Sequence, residues 1–348
     1  GCVGLCTPLM VNIILDVVPR AKLGVYLGIA NLIILIAPAL GPTFGGALAA
    51  MGSWRLIFWI TLPLALVLMV LGQSQIKQYT KAQPLAFDWN RFGLLATALI
   101  ALVVGLTAFG DGHWALAFGL LALMLAAGWG FLRLSRTSTR YLFSLRVFHE
   151  PAFLFSFLPY ITLQFANVGL NFLLPNYVQD VFSATALVGG LILLPGSVFN
   201  GIGQPVYGWM LDRFGGKLPL LLGASLFTAS ILVFAIFGPA LGVAGVTWVY
   251  LVFAIGRSMA FSNSVAYGLK GLPKDLQNDA NALYNTGQQV AGAVGTTVLS
   301  LMMTMINHPG WSKAQQVTAG SNAAFWLLVA LGLVVIGLFW RLLKPQAA

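Results

Sequence analysis

The sequence predicts an all-α membrane protein, a bundle of about eleven transmembrane helices, on three observations. Of the 348 residues, 59% are hydrophobic and 7% charged, against about 25% charged in a soluble domain. Apolar runs recur from end to end, each long enough to cross ~30 Å of hydrocarbon at ~1.5 Å per residue. Between them the basic residues gather in alternate loops. Helices are the expected element because an α-helix satisfies its backbone hydrogen bonds within one segment, where the bilayer core offers no partner.

Hydropathy, interrupted at Pro, Gly and charged clusters, places spans near 1–15, 24–50, 54–72, 92–110, 114–133 and 152–174. Five more fall near 186–210, 218–237, 247–268, 281–305 and 322–340. The first run is short for a crossing and opens on Gly1 with no charged leader, so a fragment cut at its N-terminal end is expected. Cys2 and Cys6, one helical turn apart in that run, read as packing or lipid-side residues rather than a disulfide or metal site.

Fifteen of the 18 Lys and Arg lie in one set of alternate loops. They are Arg20 and Lys22; Lys77, Lys81 and Arg91; Arg133, Arg136, Arg140 and Arg146; and the pairs Arg213–Lys217, Lys270–Lys274 and Arg341–Lys344. The opposite set holds Arg55 and Lys313. The positive-inside rule makes the first set cytoplasmic, puts the C-terminus inside and the first residues outside, and leaves the loop 307–320 external. The net charge of +10 therefore describes topology, and no nucleic-acid partner is expected.

Shifting the chain on itself by 254 residues aligns Val18-Pro19-Arg20 with Leu272-Pro273-Lys274, Asn31 with Asn285, and Gly41 with Gly295. Each copy has a Pro-basic turn feeding a Gly-rich span with one Asn. Parallel repeats of this kind relate the two halves of a transporter. The expected organisation is 1–72 as three spans of an N-terminal bundle, 73–90 as a cytoplasmic linker and 91–134 as an inserted helix pair. A basic cytoplasmic loop at 135–150 and a six-helix bundle at 151–348 complete it.

In the second span Ala37, Gly41, Gly45 and Ala49 form a small-residue stripe suited to close helix packing, while Pro38 and Pro42 each remove an amide donor. The string from Ala37 through Gly41, Pro42 and Gly45 to Gly46 resembles the G-x-x-x-G-P-x-x-G-G antiporter motif of the major facilitator superfamily, departing only at Ala37. Gly1 to Pro8 is similar to the tail of that family's R-x-x-Q-G-x-G-x-G motif. Trp54-Arg55 with Phe58 and Pro63 resembles W-R-x-x-F-x-x-N-x-P, with Thr61 in the Asn position. The stretch Gly208, Asp212, Arg213, Gly215 and Lys217 resembles the G-x-L-x-D-R-x-G-x-K loop in its second-half copy. There Asp212 is expected to cap the next helix and Gly208 to permit close packing. With the unpaired spans near 92–110 and 114–133, the resemblance is to fourteen-span drug:proton antiporters of the EmrB/QacA type. It implies a major facilitator helical bundle with about eleven of fourteen spans present. It also implies a small-molecule substrate, protons as the coupling partner with their carboxylates in missing spans, the lipid bilayer as solvent, and a bacterial inner membrane.

Candidate cavity residues come from the residues themselves. Tyr160, Gln164, Asn167 and Asn171 share one helical face, and Asn281, Asn285 and Gln288 repeat the pattern beside a stripe of Gly287, Ala291 and Gly295. Asn31 is the first-half counterpart of Asn285. Asn200 and Gln204 form a weaker pair. Such side chains either line a wet cavity or bond helices to one another. Arg257 is an intramembrane charge whose partner is a carboxylate elsewhere, or carbonyls, water or an anionic substrate. No G-x-x-x-x-G-K-[ST] loop is present, so ATP is not the driver. The scattered His113, His149 and His308 suggest neither an enzyme nor a metal site, and no cofactor is expected. A proton-coupled multidrug exporter is the leading reading; a facilitator for a defined solute (sugar, peptide or siderophore) and a non-transporting membrane scaffold are the alternatives.

Overall fold

A computed structural model describes residues 44–48, 55–75, 87–137, 142–306 and 308–343, with residues 10, 13, 41, 51 and 53 singly. Its helices are α1 (Arg55–Gln75), α2 (Trp89–Gly110), α3 (Trp114–Thr137), α4 (Pro151–Phe182), α5 (Ala186–Leu191) and α6 (Leu194–Phe214). They continue as α7 (Lys217–Phe237), α8 (Gly242–Lys270), α9 (Lys274–Met305) and α10 (Lys313–Leu342), with 3₁₀ turns at Leu145–His149 and Gly238–Leu241. No strand occurs among the described residues. The predicted spans near 1–15 and 24–50 lie outside them, apart from a few residues of each.

Seven described stretches are long and apolar enough to cross a membrane; one, Lys217–Lys270, contains both α7 and α8. The chain is an integral membrane protein. Helix α9 is not among the seven, because its first half carries Asn278, Asn281, Asn285, Gln288 and Gln289. It packs among α2, α4, α8 and α10; Gln288 meets Tyr160 of α4, while Asn278, Asn281, Asn285 and Gln289 are exposed.

Three expectations need correction. The span near 186–210 is broken into α5 and α6 at Ile192–Leu193, because the Pro195 ring would clash with the carbonyl four residues back, that of Leu191, where α5 ends. Helix α4 runs 32 residues, to Phe182 rather than 174. Pro175 does not stop it: the one carbonyl it frees is that of Asn171, and such a loss is tolerated inside a membrane helix packed among others. The external loop predicted over 307–320 is shorter, for α10 begins at Lys313. Ser312 and Gln315 form a reciprocal capping box there, and Lys313 Nζ meets Asp180 Oδ1 of α4 at 2.6 Å.

Helix α4 is the centre of the C-terminal bundle, packed on α8, α9 and α10, with Leu163, Ala166, Leu170, Leu173 and Leu174 fully buried. It crosses α9 backbone to backbone. A Cβ on Gly169 would lie 2.6 Å from Leu299 Cδ1 and 2.9 Å from the Gly295 carbonyl, and one on Gly295 would fall 3.0 Å from Phe165 Cα. Without a hydrophobic drive between helices in lipid, such close dispersion contact is what holds them.

Helices α2 and α3 pack on each other as a hairpin. Ala98, Ala101, Gly105 and Ala108 are the buried small residues of α2, and a Cβ on Gly105 would lie 3.2 Å from Leu120 Cβ of α3. Fully buried Arg91 locks its basic end, donating from Nε to Ser135 Oγ at 3.2 Å and lying 5.8 Å from the Phe131 ring centroid. Trp114, Trp248 and Trp340, exposed near helix ends, suit a lipid interface.

Candidate functional site

The polar row predicted on α4 exists and faces α8 and α9. Tyr160 donates from its hydroxyl to Gln288 Oε1 of α9 at 2.6 Å. One turn on, Gln164 Oε1 accepts from Arg257 Nη2 of α8 at 2.5 Å. Two turns further, Asn171 Oδ1 accepts from the Tyr250 hydroxyl at 2.7 Å. The partly buried Asn167 makes no hydrogen bond with a described residue. In this conformation the row bonds helices together, and because Asn167, Asn171 and Gln288 are only half-buried it borders open space as well.

Arg257 sits at the floor of this arrangement, 6% exposed. Its guanidinium lies 4.0 Å from the centroid of Phe261, one turn along the same helix, and Phe261 also stacks on Tyr160 at 4.1 Å. No carboxylate pairs with Arg257 among the described residues. An amide oxygen and an aromatic face hold it, and its Nε is buried without a partner there. Below, Tyr284 and Ser156 share a hydrogen bond of 2.6 Å between α9 and α4.

Asn200 and Gln204 bind α8. Asn200 accepts from Ser258, and Gln204 accepts from Ser262 at 2.6 Å. Helices α6 and α8 run in the same direction, so equal steps of four residues on each keep the ladder in register. Asn285 is exposed and donates to the Asn281 carbonyl at 2.9 Å. Asn31, Pro38 and Pro42 lie outside the described residues.

The two motif regions behave differently from expectation. Asp212 does not cap α7, whose N-cap is Gly216 without a side-chain bond. It lies 3.8 Å from Lys270 with both side chains exposed, an arrangement that contributes little. Gly208 has no described atom within 4 Å of a Cβ position; the close approach belongs to Gly216, whose Cβ would lie 2.6 Å from Tyr267 Cε2. Gly215, at φ 69°, takes the left-handed conformation that glycine adopts freely. Arg213 lies 5.3 Å from the Trp209 ring centroid, and Lys217 opens α7. In the Gly-Pro region a Cβ on Gly41 would meet no described atom within 4 Å and one on Gly45 only Ile57 Cδ1 at 3.9 Å. Gly46 makes the contact: its Cβ would lie 3.2 Å from the Ala186 carbonyl carbon and 3.3 Å from Leu187 Cα, against the first turn of α5. Thr61, in the Asn position of the W-R segment, donates its hydroxyl to the Ile57 carbonyl at 2.8 Å.

Sequence reasoning missed Tyr250, Ser258, Phe261 and Ser262. The signal was present: Ser258–Ser262 and Arg257–Phe261 are both spaced one turn apart on α8, matching the Asn200–Gln204 step on α6. No group of three or more His, Cys, Asp or Glu able to hold a metal occurs among the described residues.

Comparison with known proteins agrees with this architecture. The family described as Major Facilitator Superfamily matches residues 1–296. The lincomycin resistance protein LmrB of Bacillus subtilis (strain 168) is 30% identical over 354 aligned positions, covering 96% of this chain and 72% of the relative. The MFS-type transporter YcnB of the same organism is 31% identical, covering 99% and 74%. The tetracenomycin C resistance and export protein of Streptomyces glaucescens is 26% identical, covering 88% and 58%. With these matches and an all-helical membrane bundle in hand, the chain belongs to the Major Facilitator Superfamily.

Proposed function

We propose that this protein exports lipophilic or amphipathic compounds in exchange for protons, by alternating access between two helical bundles in a bacterial inner membrane, with its C-terminus cytoplasmic. The observation that carries the reading is the half-open polar face through α4, α6, α8 and α9, built around a buried cation that an amide and an aromatic ring hold. A cation of this kind inside a membrane bundle is functional by default. The names of the relatives, which speak of lincomycin resistance and of tetracenomycin C resistance and export, support a drug as the cargo. Tyr160, Gln164, Asn167, Asn171, Asn285, Gln288 and, from the first half, Asn31 line the substrate cavity in this reading. The hydrogen bonds seen between them hold one state, and exchange for bonds to cargo or water in another. The motif residues Pro38, Gly41, Pro42, Gly45 and Gly46 close one side of the path, and Gly208, Asp212, Arg213, Gly215 and Lys217 form the inner turn between α6 and α7.

Efflux of chemically varied drugs from proteoliposomes under an imposed proton gradient tests this. Coupled efflux is expected, and Asn171→Ala and Gln164→Ala are expected to change which compounds are exported while the protein still inserts. Absence of gradient-driven efflux for every compound would overturn the functional reading; an unchanged drug profile in both variants would overturn the cavity assignment.

A further inference from the structure

The polar row occupies one side of α4; the other side borders a cavity with different chemistry. A crevice of about 520 Å³ lies where the inserted hairpin meets the C-terminal bundle. Leu95 and Leu99 of α2, Phe157 and Phe165 of α4, and Val290 and Val294 of α9 form its walls. Two side chains in the lining carry hydroxyls, and both protons are engaged: Thr162 donates to the Leu158 carbonyl and Thr286 to the Ala282 carbonyl, each at 2.9 Å. The side chains of the lining therefore offer an occupant no free donor, and only two hydroxyl oxygens as acceptors.

We propose that this crevice binds one acyl chain of an anionic phospholipid from the leaflet that meets the basic loop. The shape argument is length. Phe157 to Phe165 spans about 12 Å of α4, and Leu283 to Val294 about 16 Å of α9, at ~1.5 Å per residue; one leaflet of hydrocarbon is about 15 Å, half of the ~30 Å core. Depth agrees, since Leu95 and Phe157 both stand six residues inside the basic ends of their helices. The lining disfavours an amphipathic cargo, whose polar acceptors would lose water here without gaining a side-chain donor. A methylene chain loses nothing.

Charge chooses the lipid. Tails are as apolar as the lining, so hydrocarbon contact alone gives no preference over bulk bilayer. Preference has to come from the headgroup. Phe143 closes the basic end of the crevice, and three residues on, Arg146 is exposed, as is Arg133 at the end of α3. Each basic residue near the surface favours an anionic lipid by about five-fold, so two give a preference of about 25-fold. Filling the gap also completes the packing between hairpin and bundle, where an empty volume would forfeit dispersion contacts on both sides.

Native mass spectrometry of the full chain, purified in mild detergent and exposed to an equal mixture of phosphatidylglycerol and phosphatidylcholine, tests the proposal. One retained phosphatidylglycerol is expected, at about 25-fold over phosphatidylcholine. Ala291→Phe, which fills the crevice, is expected to abolish retention, and Thr286→Phe serves the same purpose if the first variant does not fold. Arg133→Gln with Arg146→Gln is expected to erase the headgroup preference while a lipid is still held. Equal retention by the wild type and a folded filled variant would overturn the site. Displacement of the lipid by rhodamine 6G, with loss of rhodamine binding in Ala291→Phe, would make it a cargo site and overturn the proposal. Neither result depends on transport, so failure here leaves the exporter reading intact.

Discussion

Replacing Gln164 with leucine is expected to isolate what the buried cation requires. The side chain keeps its bulk but loses the oxygen that accepts from Arg257 Nη2 at 2.5 Å, while Phe261 remains at 4.0 Å from the guanidinium. Neutral hydrogen bonds between membrane helices contribute ~0.6 kcal/mol on average and up to ~1.7, whereas bonds to charged groups contribute ~1.5 to 3 kcal/mol. Arg257 is charged and buried but retains its aromatic partner, so the overlap of the two ranges, ~1.5 to 1.7 kcal/mol, is the expected loss. That is a shift of about 12- to 18-fold in the unfolding equilibrium. The double variant Gln164→Leu with Arg257→Met removes both partners, and a methionine packs well on an aromatic face. It is therefore expected to be more stable than Gln164→Leu alone, since the cost lies in leaving one polar partner stranded. Reversible unfolding in mixed detergent micelles measures both. The reasoning is refuted if Gln164→Leu matches the wild type, or if the double variant is less stable than the single one.

Two further outcomes follow from contacts already described. Gly46→Leu drives a side chain into the first turn of α5; overpacking of ~1 to 3 kcal/mol confined to one state is expected to lower efflux at least five-fold. Gly41→Leu, with no described atom within 4 Å, is expected to be milder, and proteoliposome efflux with the reverse order would show that Gly46 is not the sealing contact. Single cysteines replacing Lys274 and His308, in a background with Cys2→Ser and Cys6→Ser, are expected to react with impermeant reagents from the inside and the outside respectively; reaction of both from outside intact cells would invert the orientation.

Much of the helical architecture was legible because its causes are local. A bilayer forces each crossing segment to satisfy its own backbone, so apolar length alone located α1 to α3 and α7 to within a few residues. The same periodicity put Tyr160, Gln164, Asn167 and Asn171 on one face. Errors arose where a local signal was outweighed. Pro175 reads as a stop but lies inside a buried helix, and the polar start of α10 reads as a loop but carries a capping box. Asp212 fits an N-cap by type, yet it lies on the last turn of α6 and points to Lys270.

The sequence by itself determined that the chain lives in lipid, where most of its helices lie, and which side chains on a helix share a face. Only the tertiary structure decided who meets whom: that Gln164 holds Arg257 across 93 residues of chain, that Asn200 and Gln204 answer Ser258 and Ser262 across 58, and that Gly46 rather than Gly41 touches α5. Helix formation in hydrocarbon is settled within each segment. Pairing is settled by dispersion and hydrogen bonds between faces that lipid would otherwise cover equally well, and those depend on fit, which no single segment contains.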